Sequence, residues 1–323
     1  MHSLIFFGVD QYSAIVLQRI IDDQNIAILA VVTDRGKPKG REQKREPNPV
    51  EKLAITQNIK VIYYPEKSEE MSNFIDMLKS YHYEYGLVAS FGHILPSPLI
   101  KTFLKSILNI HPSLLPQYRG VAPVPYALAL GDTTTGVSIF TIDEGVDTGK
   151  VVAQEKIPTP PGIGAPDLLT ELFARGAGLV ADYISGKPVP SAQSQHQEKE
   201  VLVYAKRFTR DSGYVEWPVV QKLLANQPIA PDETTNLLLK LRLAKIKTQH
   251  LKIENWSLEI ARLCRALTPW PGVWTICPTK KGNLRLTLVL TRSHTRYATP
   301  EILIAGKPKP ITWGDFTKYY LND

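Results

Sequence analysis

Ile107-Leu108-Asn109-Ile110-His111-Pro112-Ser113-Leu114-Leu115-Pro116 is the stretch that decides how this chain of 323 residues is built. The run Ile107 to Ile110 reads as a short buried strand, and Pro112 ends it because proline brings no amide hydrogen to a ladder. Asn109 and His111 are two apart, so a strand points both to one side. An amide and an imidazole then stand together at the C-terminal end of a strand, where open α/β sheets bind ligands. Downstream, Gly136-Val137-Ser138-Ile139-Phe140-Thr141-Ile142 alternates with period two and feeds the acidic turn Asp143-Glu144-Gly145-Val146-Asp147-Thr148-Gly149. A carboxylate can therefore converge on the amide and the ring from a second strand end. Acyl transfer uses those three types: an oxyanion donor, a proton carrier and a group that orients it.

Working outward, residues 3–8 read as a strand, 12–23 as an amphipathic helix and 26–33 as a strand. Residues 49–57 read as a helix, 59–63 as a strand, 66–80 as a helix and 85–89 as a strand. That alternation predicts an α/β fold with a doubly wound, mostly parallel sheet. Residues 165–184 have helical spacing, and Gly186-Lys187-Pro188-Val189-Pro190 breaks it. The expected division is a first domain over 1–190, a polar linker over 191–205 and a second domain over 206–323. In the second, 208–217 is turn-rich, 255–267 is helical, and 284–290, 302–304 and 311–313 read as strands. A small OB-like β-barrel with one helix is expected, a class that commonly binds nucleic acid.

Composition narrows the classes. With 43% hydrophobic and 21% charged residues, the chain has an ordinary globular balance, and its length suits two domains. Two cysteines, Cys264 and Cys277, cannot make a disulfide framework. They are expected to be buried in a reducing compartment. Met1 leads directly into a strand, not a charged and apolar leader, and no run is long enough to span a membrane. A cytoplasmic protein is expected. From Lys206 onward, 19 Lys and Arg stand against 9 Asp and Glu; before it, 19 stand against 22. The positive excess sits in the C-terminal third, the footprint of a polyanion ligand.

The Asn109–Pro116 segment with Asp147-Thr148-Gly149 resembles the active-site signature of the N10-formyltetrahydrofolate-dependent formyltransferases. Its continuation, Tyr118-Arg119-Gly120-Val121-Ala122-Pro123, is similar to the methionyl-tRNA branch of that superfamily. So are Tyr204-Ala205-Lys206, Val215-Glu216-Trp217 and Pro269-Trp270-Pro271-Gly272. The resemblance implies a Rossmann-like formyltransferase domain in which Asn109 and His111 bind the formyl oxygen and Asp147 holds the imidazole and assists proton transfer. It implies a tetrahydrofolate pocket lined by Ser113, Leu114, Leu115 and Pro116, with Phe91, Gly92 and Ile94 framing the pterin. N10-formyltetrahydrofolate is then the co-substrate and methionyl initiator tRNA the partner, with no membrane and a monomer expected.

The loop from Asp34 to Arg45 has six basic residues in eleven, Arg35 to Arg45, spaced by Gly and Pro. Alone it is a solvated linker as readily as a binding element. The resemblance makes it a reader of the tRNA acceptor stem, with Arg41, Lys37, Lys39, Lys44 and Arg45 on the RNA and Lys206 and Arg207 beginning the second basic surface. The stretch 219–254 is longer than the family usually has, and Thr234 to Thr248 within it predicts a basic amphipathic helix. That helix either packs on the barrel or extends the RNA surface.

Competing chemistries fit less well. Ser113 follows Pro112 and lacks a G-x-S-x-G elbow, so it is not a nucleophile. Gly8-Val9-Asp10-Gln11-Tyr12 is not a dinucleotide fingerprint. His93, His111 and Asp147 do not have metal-ligand spacing, and no metal is expected. His93 is expected to be structural, and Asp143 and Glu144 to be solvated turn carboxylates. Formylation of an amino-sugar nucleotide, hydrolysis of formyltetrahydrofolate, and a tRNA-binding protein with a vestigial catalytic domain remain as alternatives.

Overall fold

The computed structural model describes residues 1–36, 38–39, 44–191, 202–253, 255–279, 282–290 and 300–321, with the backbone alone at 38, 39 and 44. In chain order the elements begin β1 (His2–Phe7), α1 (Gln11–Ile21), β2 (Ile26–Thr33), the two-residue strands β3 (Pro38–Lys39) and β4 (Lys44–Arg45), α2 (Pro49–Thr56) and β5 (Val61–Tyr63). They continue with α3 (Met71–Lys79), β6 (Tyr85–Ala89), α4 (Ser97–Ile100), β7 (Ser106–His111), α5 (Pro123–Leu130), β8 (Thr134–Thr141), β9 (Val151–Pro158) and α6 (Ala165–Ile184). The last are α7 (Trp217–Leu224), α8 (Leu237–Thr248), α9 (Ser257–Leu267), β10 (Val273–Thr279), β11 (Gly282–Val289), β12 (Glu301–Ile304) and α10 (Trp313–Phe316).

Two compact units divide the chain. The first is Met1–Arg119, Gly136–Ile157 and Leu169–Tyr204; the second is Gly120–Thr135, Pro158–Leu168 and Ala205–Asp323. This differs from a single cut at a linker over 191–205, because two earlier segments group with the C-terminal residues.

The first unit is organised by a seven-stranded sheet of order β5-β2-β1-β6-β7-β8-β9. The pairs β1–β2, β1–β6, β2–β5 and β6–β7 are parallel, and β8 runs antiparallel to β7. Leu4 to Phe7 and all of β6 are buried, as unbroken apolar strands covered on both faces must be. Strand order reverses between β1 and β6, the switch point at which such sheets open a crevice. There Asp10 caps α1 by accepting from the amides of Tyr12 and Ser13, and Ser90 donates to its other oxygen at 2.6 Å. On another face, Gly176 lets α6 approach β7, since a Cβ there would come within 2.5 Å of the Ile110 side chain.

The second unit has three antiparallel strands, β10-β11-β12, among its described residues. The expectation of a barrel with one helix, beside the helix expected in the 219–254 stretch, is corrected: α8 and α9 lie near the two expected helices, but α7 and α10 belong here as well, and α5 packs on α8 and α9. Pro218 is the reason α7 escapes the sequence reading, because proline breaks a helix interior yet suits its first turn. Ile311 to Trp313 is not a strand: Ile311 makes one bridge to Ile302, and Thr312 caps α10 through the Asp315 amide. The helix expected from Thr234 starts at Leu237 under an Asn236 cap. It packs rather than lying solvated on its basic face, for Leu238, Leu239, Arg242 and Leu243 are buried. Arg242 pairs with the buried Glu259 at 2.8 Å and 3.2 Å and donates to the Leu130 carbonyl at 3.0 Å. Cys264 and Cys277 are free and buried, and burial pushes their thiols up to about 12 and about 11.

Breaking a buried ion pair leaves its partner charged and desolvated. Arg262, 3.5 Å from Glu259, offers partial compensation. Arg242→Met should therefore lower stability by about 2–3 kcal/mol in urea denaturation, and a loss under about 0.5 kcal/mol would contradict the structural role given to this pair.

Candidate functional site

β7 delivers two candidate side chains and β8 the frame that holds them. In the antiparallel register, Asn109 lies opposite Phe140 and His111 opposite Ser138. The His111 ring is buried, and its Nε2 lies 3.0 Å from the carbonyl oxygen of Tyr118. A carbonyl only accepts, so Nε2 carries the hydrogen and the neutral ring leaves Nδ1 bare. Nδ1 faces Asp147 Oδ2 at 3.7 Å, within ion-pair range but beyond a hydrogen bond. Burial holds the imidazolium of His111 below its ordinary range, and the Asp147 carboxylate and Tyr118 carbonyl oppose that shift. Arg119 pushes it further down. Burial thus favours the neutral ring, an acceptor at Nδ1, with a carboxylate placed to stabilise its charged form.

The Tyr118 carbonyl reaches Nε2 because the chain between Pro112 and Arg119 is pinned from several sides. Tyr118 sits in the left-handed region at φ +61°, and its amide donates to the Val203 carbonyl at 3.0 Å. Ser113, fully buried, donates to the Gln117 carbonyl at 2.7 Å, and Gln117 Oε1 accepts from the Val203 amide at 2.7 Å. The Ser138 hydroxyl accepts from the Leu115 amide and Gln154 Nε2 and donates to the Ser113 carbonyl at 2.7 Å. One buried hydroxyl on β8 therefore ties together three points of the loop and β9.

The carboxylate loop is set by its own turn. Asp143 Oδ1 accepts from the Gly145 amide at 3.0 Å and the Thr148 hydroxyl at 2.7 Å. Asp143, expected to be a solvated carboxylate, is exposed but braces the loop. Asp147 adopts φ +53°, a conformation asparagine and aspartate tolerate better than most side chains. Gly149 closes the loop against β8, where a Cβ would come within 1.6 Å of the Thr141 carbonyl.

Other residues singled out in the sequence are distributed more widely. The Asn109 side chain is half-buried and makes no hydrogen bond among the described residues. Leu114 lies beside Gly136, and Leu115 and Pro116 each wall a cavity. Phe91, Gly92 and Ile94 follow β6: Phe91 meets Phe7 and Tyr64 edge-on, Gly92 has open space, and Ile94 is 81% exposed. His93 is held by Asp34 at 2.7 Å and packs on Tyr64. Lys37 and Arg41 lie outside the described residues. Lys39 and Lys44 pair through the backbone in the short hairpin. Arg45 is engaged at 3.1 Å by Glu51 and stacks over Tyr63, as Arg35 does from 4.5 Å. Lys206 and Arg207 are exposed and make no ion pair among the described residues. No group of three His, Cys, Asp or Glu side chains that could hold a metal occurs among the described residues.

Asp147 walls one cavity, and its chain neighbours Val146 and Thr148 wall a second. One, of about 240 Å³, is walled by Leu115, Arg119, Asp147, Thr148, Gly149, Lys150 and Val151. The second, of about 320 Å³, is walled by Pro116, Arg119, Val146, Thr148, Leu202, Val203 and Tyr204. Val146, Leu202 and Tyr204 are exposed apolar side chains gathered at one place, a pattern that marks binding surfaces. Arg119, Thr148 and Lys150 had no role in the sequence reading. The signal for Arg119 was its position directly after Tyr118 in the quoted motif.

Comparison with known proteins adds sequence relatives and folds. The Formyl transferase family profile matches residues 2–172. A methionyl-tRNA formyltransferase of Thermodesulfovibrio yellowstonii is 34% identical over 308 residues, covering 95% of this chain and 86% of that protein. Another, of Dictyoglomus thermophilum, is 35% identical over 218 residues, covering 66% and 68%. Among solved structures, a 4-N formyltransferase of Francisella tularensis aligns with a TM-score of 0.56 at 13% identity, over 90% of this chain and 98% of that one. A sugar N-formyltransferase of a Shewanella species aligns with a TM-score of 0.53 at 16% identity, over 90% and 97%. These last two show the fold.

Replacing Ser138 by Ala would leave the Leu115 amide and the Ser113 carbonyl each one partner short in a buried place. Such orphaned groups cost about 1–3 kcal/mol each, so Ser138→Ala should lose about 2–4 kcal/mol of stability in urea titration. A variant as stable as the parent would show that this hydroxyl does not hold the loop.

Proposed function

The chain belongs to the formyl transferase family, and we propose that this enzyme moves the formyl group of N10-formyltetrahydrofolate to the α-amine of methionyl initiator tRNA. The observation that carries the chemistry is the His111 ring, its one hydrogen committed to Tyr118 and its bare Nδ1 turned to Asp147. In formyl transfer the amine nitrogen bonds to the formyl carbon, and the bond from that carbon to N10 breaks with its electron pair left on N10. The amine must lose a proton and N10 must gain one. Asn109 donates its amide hydrogen to the formyl oxygen as negative charge develops there. His111 cannot donate from Nδ1 in its neutral form, so it first accepts the amine's proton at that atom. Asp147 stabilises the imidazolium, which then donates from Nδ1 to the formyl oxygen or returns the proton toward N10. The two roles of the ring follow one another rather than compete.

Ser113 to Pro116 and Phe91 to Ile94 are the segments we assign to the tetrahydrofolate. For the first the support is two cavity-lining residues, Leu115 and Pro116; Ser113, with its hydroxyl bound to Gln117, acts by shaping the loop. For the second it is the switch-point position with open space at Gly92. The basic C-terminal third, read as an OB-like module over 206–323, supplies salt-dependent affinity for the tRNA body. Lys206 and Arg207 and the loop residues Lys37, Lys39, Arg41, Lys44 and Arg45 are assigned to RNA; of these Arg45 must leave Glu51 to take part. No helix among the described residues is long and apolar enough to cross a membrane, and a cytoplasmic monomer is part of the same proposal. An amino-sugar acceptor is the rival that the sequence motif leaves open. It leaves the positive charge of the C-terminal third without a use.

Formyl transfer from labelled N10-formyltetrahydrofolate to methionyl initiator tRNA tests the assignment. Asp147→Asn should cut kcat/KM at least about a hundredfold while tRNA binding persists. Because burial lowers the His111 value, the acid limb of the wild-type kcat/KM profile should fall below pH 6.5. Activity is present above that limb and lost as the ring protonates. Removing the carboxylate removes a raising influence, so residual Asp147→Asn activity should have its limb at still lower pH. Unchanged transfer in the variant, or transfer to amino-sugar nucleotides and not to tRNA, defeats the proposal.

A further inference from the structure

Arg119 stands at the site without an evident task. The chain turn that offers the Tyr118 carbonyl to His111 also delivers the next side chain to the wall of both cavities. Its guanidinium makes no hydrogen bond or ion pair among the described residues, although its Nε is buried. The residue is half-exposed, but a buried Nε–H with nothing accepting from it is unfavourable until a ligand supplies an oxygen. Lys150 walls the smaller cavity as well and is likewise without an ion pair among the described residues. The single carboxylate on that wall is Asp147, which faces His111. Two cations therefore share a cavity whose one anion is already engaged, and Thr148 spends its hydroxyl on Asp143.

We propose that Arg119 and Lys150 form an anion seat beside the transfer centre, and that its ligand is the phosphodiester joining the last two nucleotides of the aminoacylated acceptor; this rests on the acceptor proposed above. The methionyl ester hangs on the 3′-terminal ribose, and the 5′ carbon of that sugar carries the phosphodiester. The anion is thus tethered within one nucleotide of the amine that must reach His111 Nδ1. The formyl donor has carboxylates too, but a rigid para-substituted ring carries them away from N10. A guanidinium matches paired phosphate oxygens, and an ammonium adds a point charge. Seating the phosphate fixes the ribose and so the approach of the amine, which lowers the entropy to be lost on reaction.

The test compares two small acceptors, 3′-O-methionyl-adenosine and the dinucleotide cytidylyl-adenosine carrying the same ester. The wild type should prefer the dinucleotide, and Arg119→Gln should erase at least tenfold of that preference in kcat/KM. Lys150→Gln, at an exposed position, should erase a smaller part and decides the matter if Arg119→Gln fails to fold. Unacylated cytidylyl-adenosine, titrated by calorimetry, should bind at least tenfold more weakly to Arg119→Gln. An unchanged preference overturns the seat, and a raised KM for the formyl donor alone assigns the anion to the donor and overturns the ligand. Should the wild type transfer to neither acceptor nor to methionyl-tRNA, the acceptor assignment fails, and the dinucleotide titration alone then judges the seat.

Discussion

The hydrogen bond from His111 Nε2 to the Tyr118 carbonyl is the constraint on which the proposed chemistry of this chain rests. It chooses the tautomer, and the tautomer decides which nitrogen is left to exchange a proton. Much of the local structure exists to hold that one carbonyl in place. Tyr118 takes a left-handed backbone angle, its amide is anchored on Val203, and the loop before it is tied to β8 and β9 through Ser138 and Gln154. Burial of the ring disfavours its charged form, and Asp147 at 3.7 Å supplies the counter-charge when it gains a proton. A site so arranged is ready for a proton that arrives from a substrate and is poorly suited to hold one beforehand.

The strands and helices of the first unit were legible because their residues carry periodicity and punctuation together. Ile26–Thr33, Tyr85–Ala89 and Ala165–Ile184 lie where the sequence places them, since apolar runs buried on both faces read as parallel strands and caps mark the helix ends. The second unit was less legible. Pro218 reads as a breaker and serves as a helix start, and Ile311 to Trp313 has strand-like residues that cap and open a helix. Arg242 sits on the basic side of its helical pattern yet is buried, because its partner Glu259 lies on another helix and no local pattern announces it. Sequence spacing identifies same-face neighbours, not the long-range partner that makes a buried charge tolerable.

The candidate site divides in the same way. Asn109 and His111 follow from strand spacing, and the structure sets Asp147 beside the ring. What spacing could not give is the committed hydrogen at Nε2, the bracing of the loop by Asp143, and the buried, unsatisfied Nε of Arg119. Each depends on a backbone group, a loop neighbour or a cavity wall, and none of these leaves a mark in residue type alone. Arg45 is the converse: basic composition suggests a free cation, and Glu51 with Tyr63 already holds it.

The most direct test is to read the tautomer of His111 by long-range proton–nitrogen NMR on imidazole-labelled protein at neutral pH. Hydrogen on Nε2 with a bare, unprotonated Nδ1 is the predicted result, and it should persist in Asp147→Asn because Tyr118 sets it. Hydrogen on Nδ1, or a ring already doubly protonated at neutral pH, would contradict the assignment of Nδ1 as the atom that receives the amine's proton.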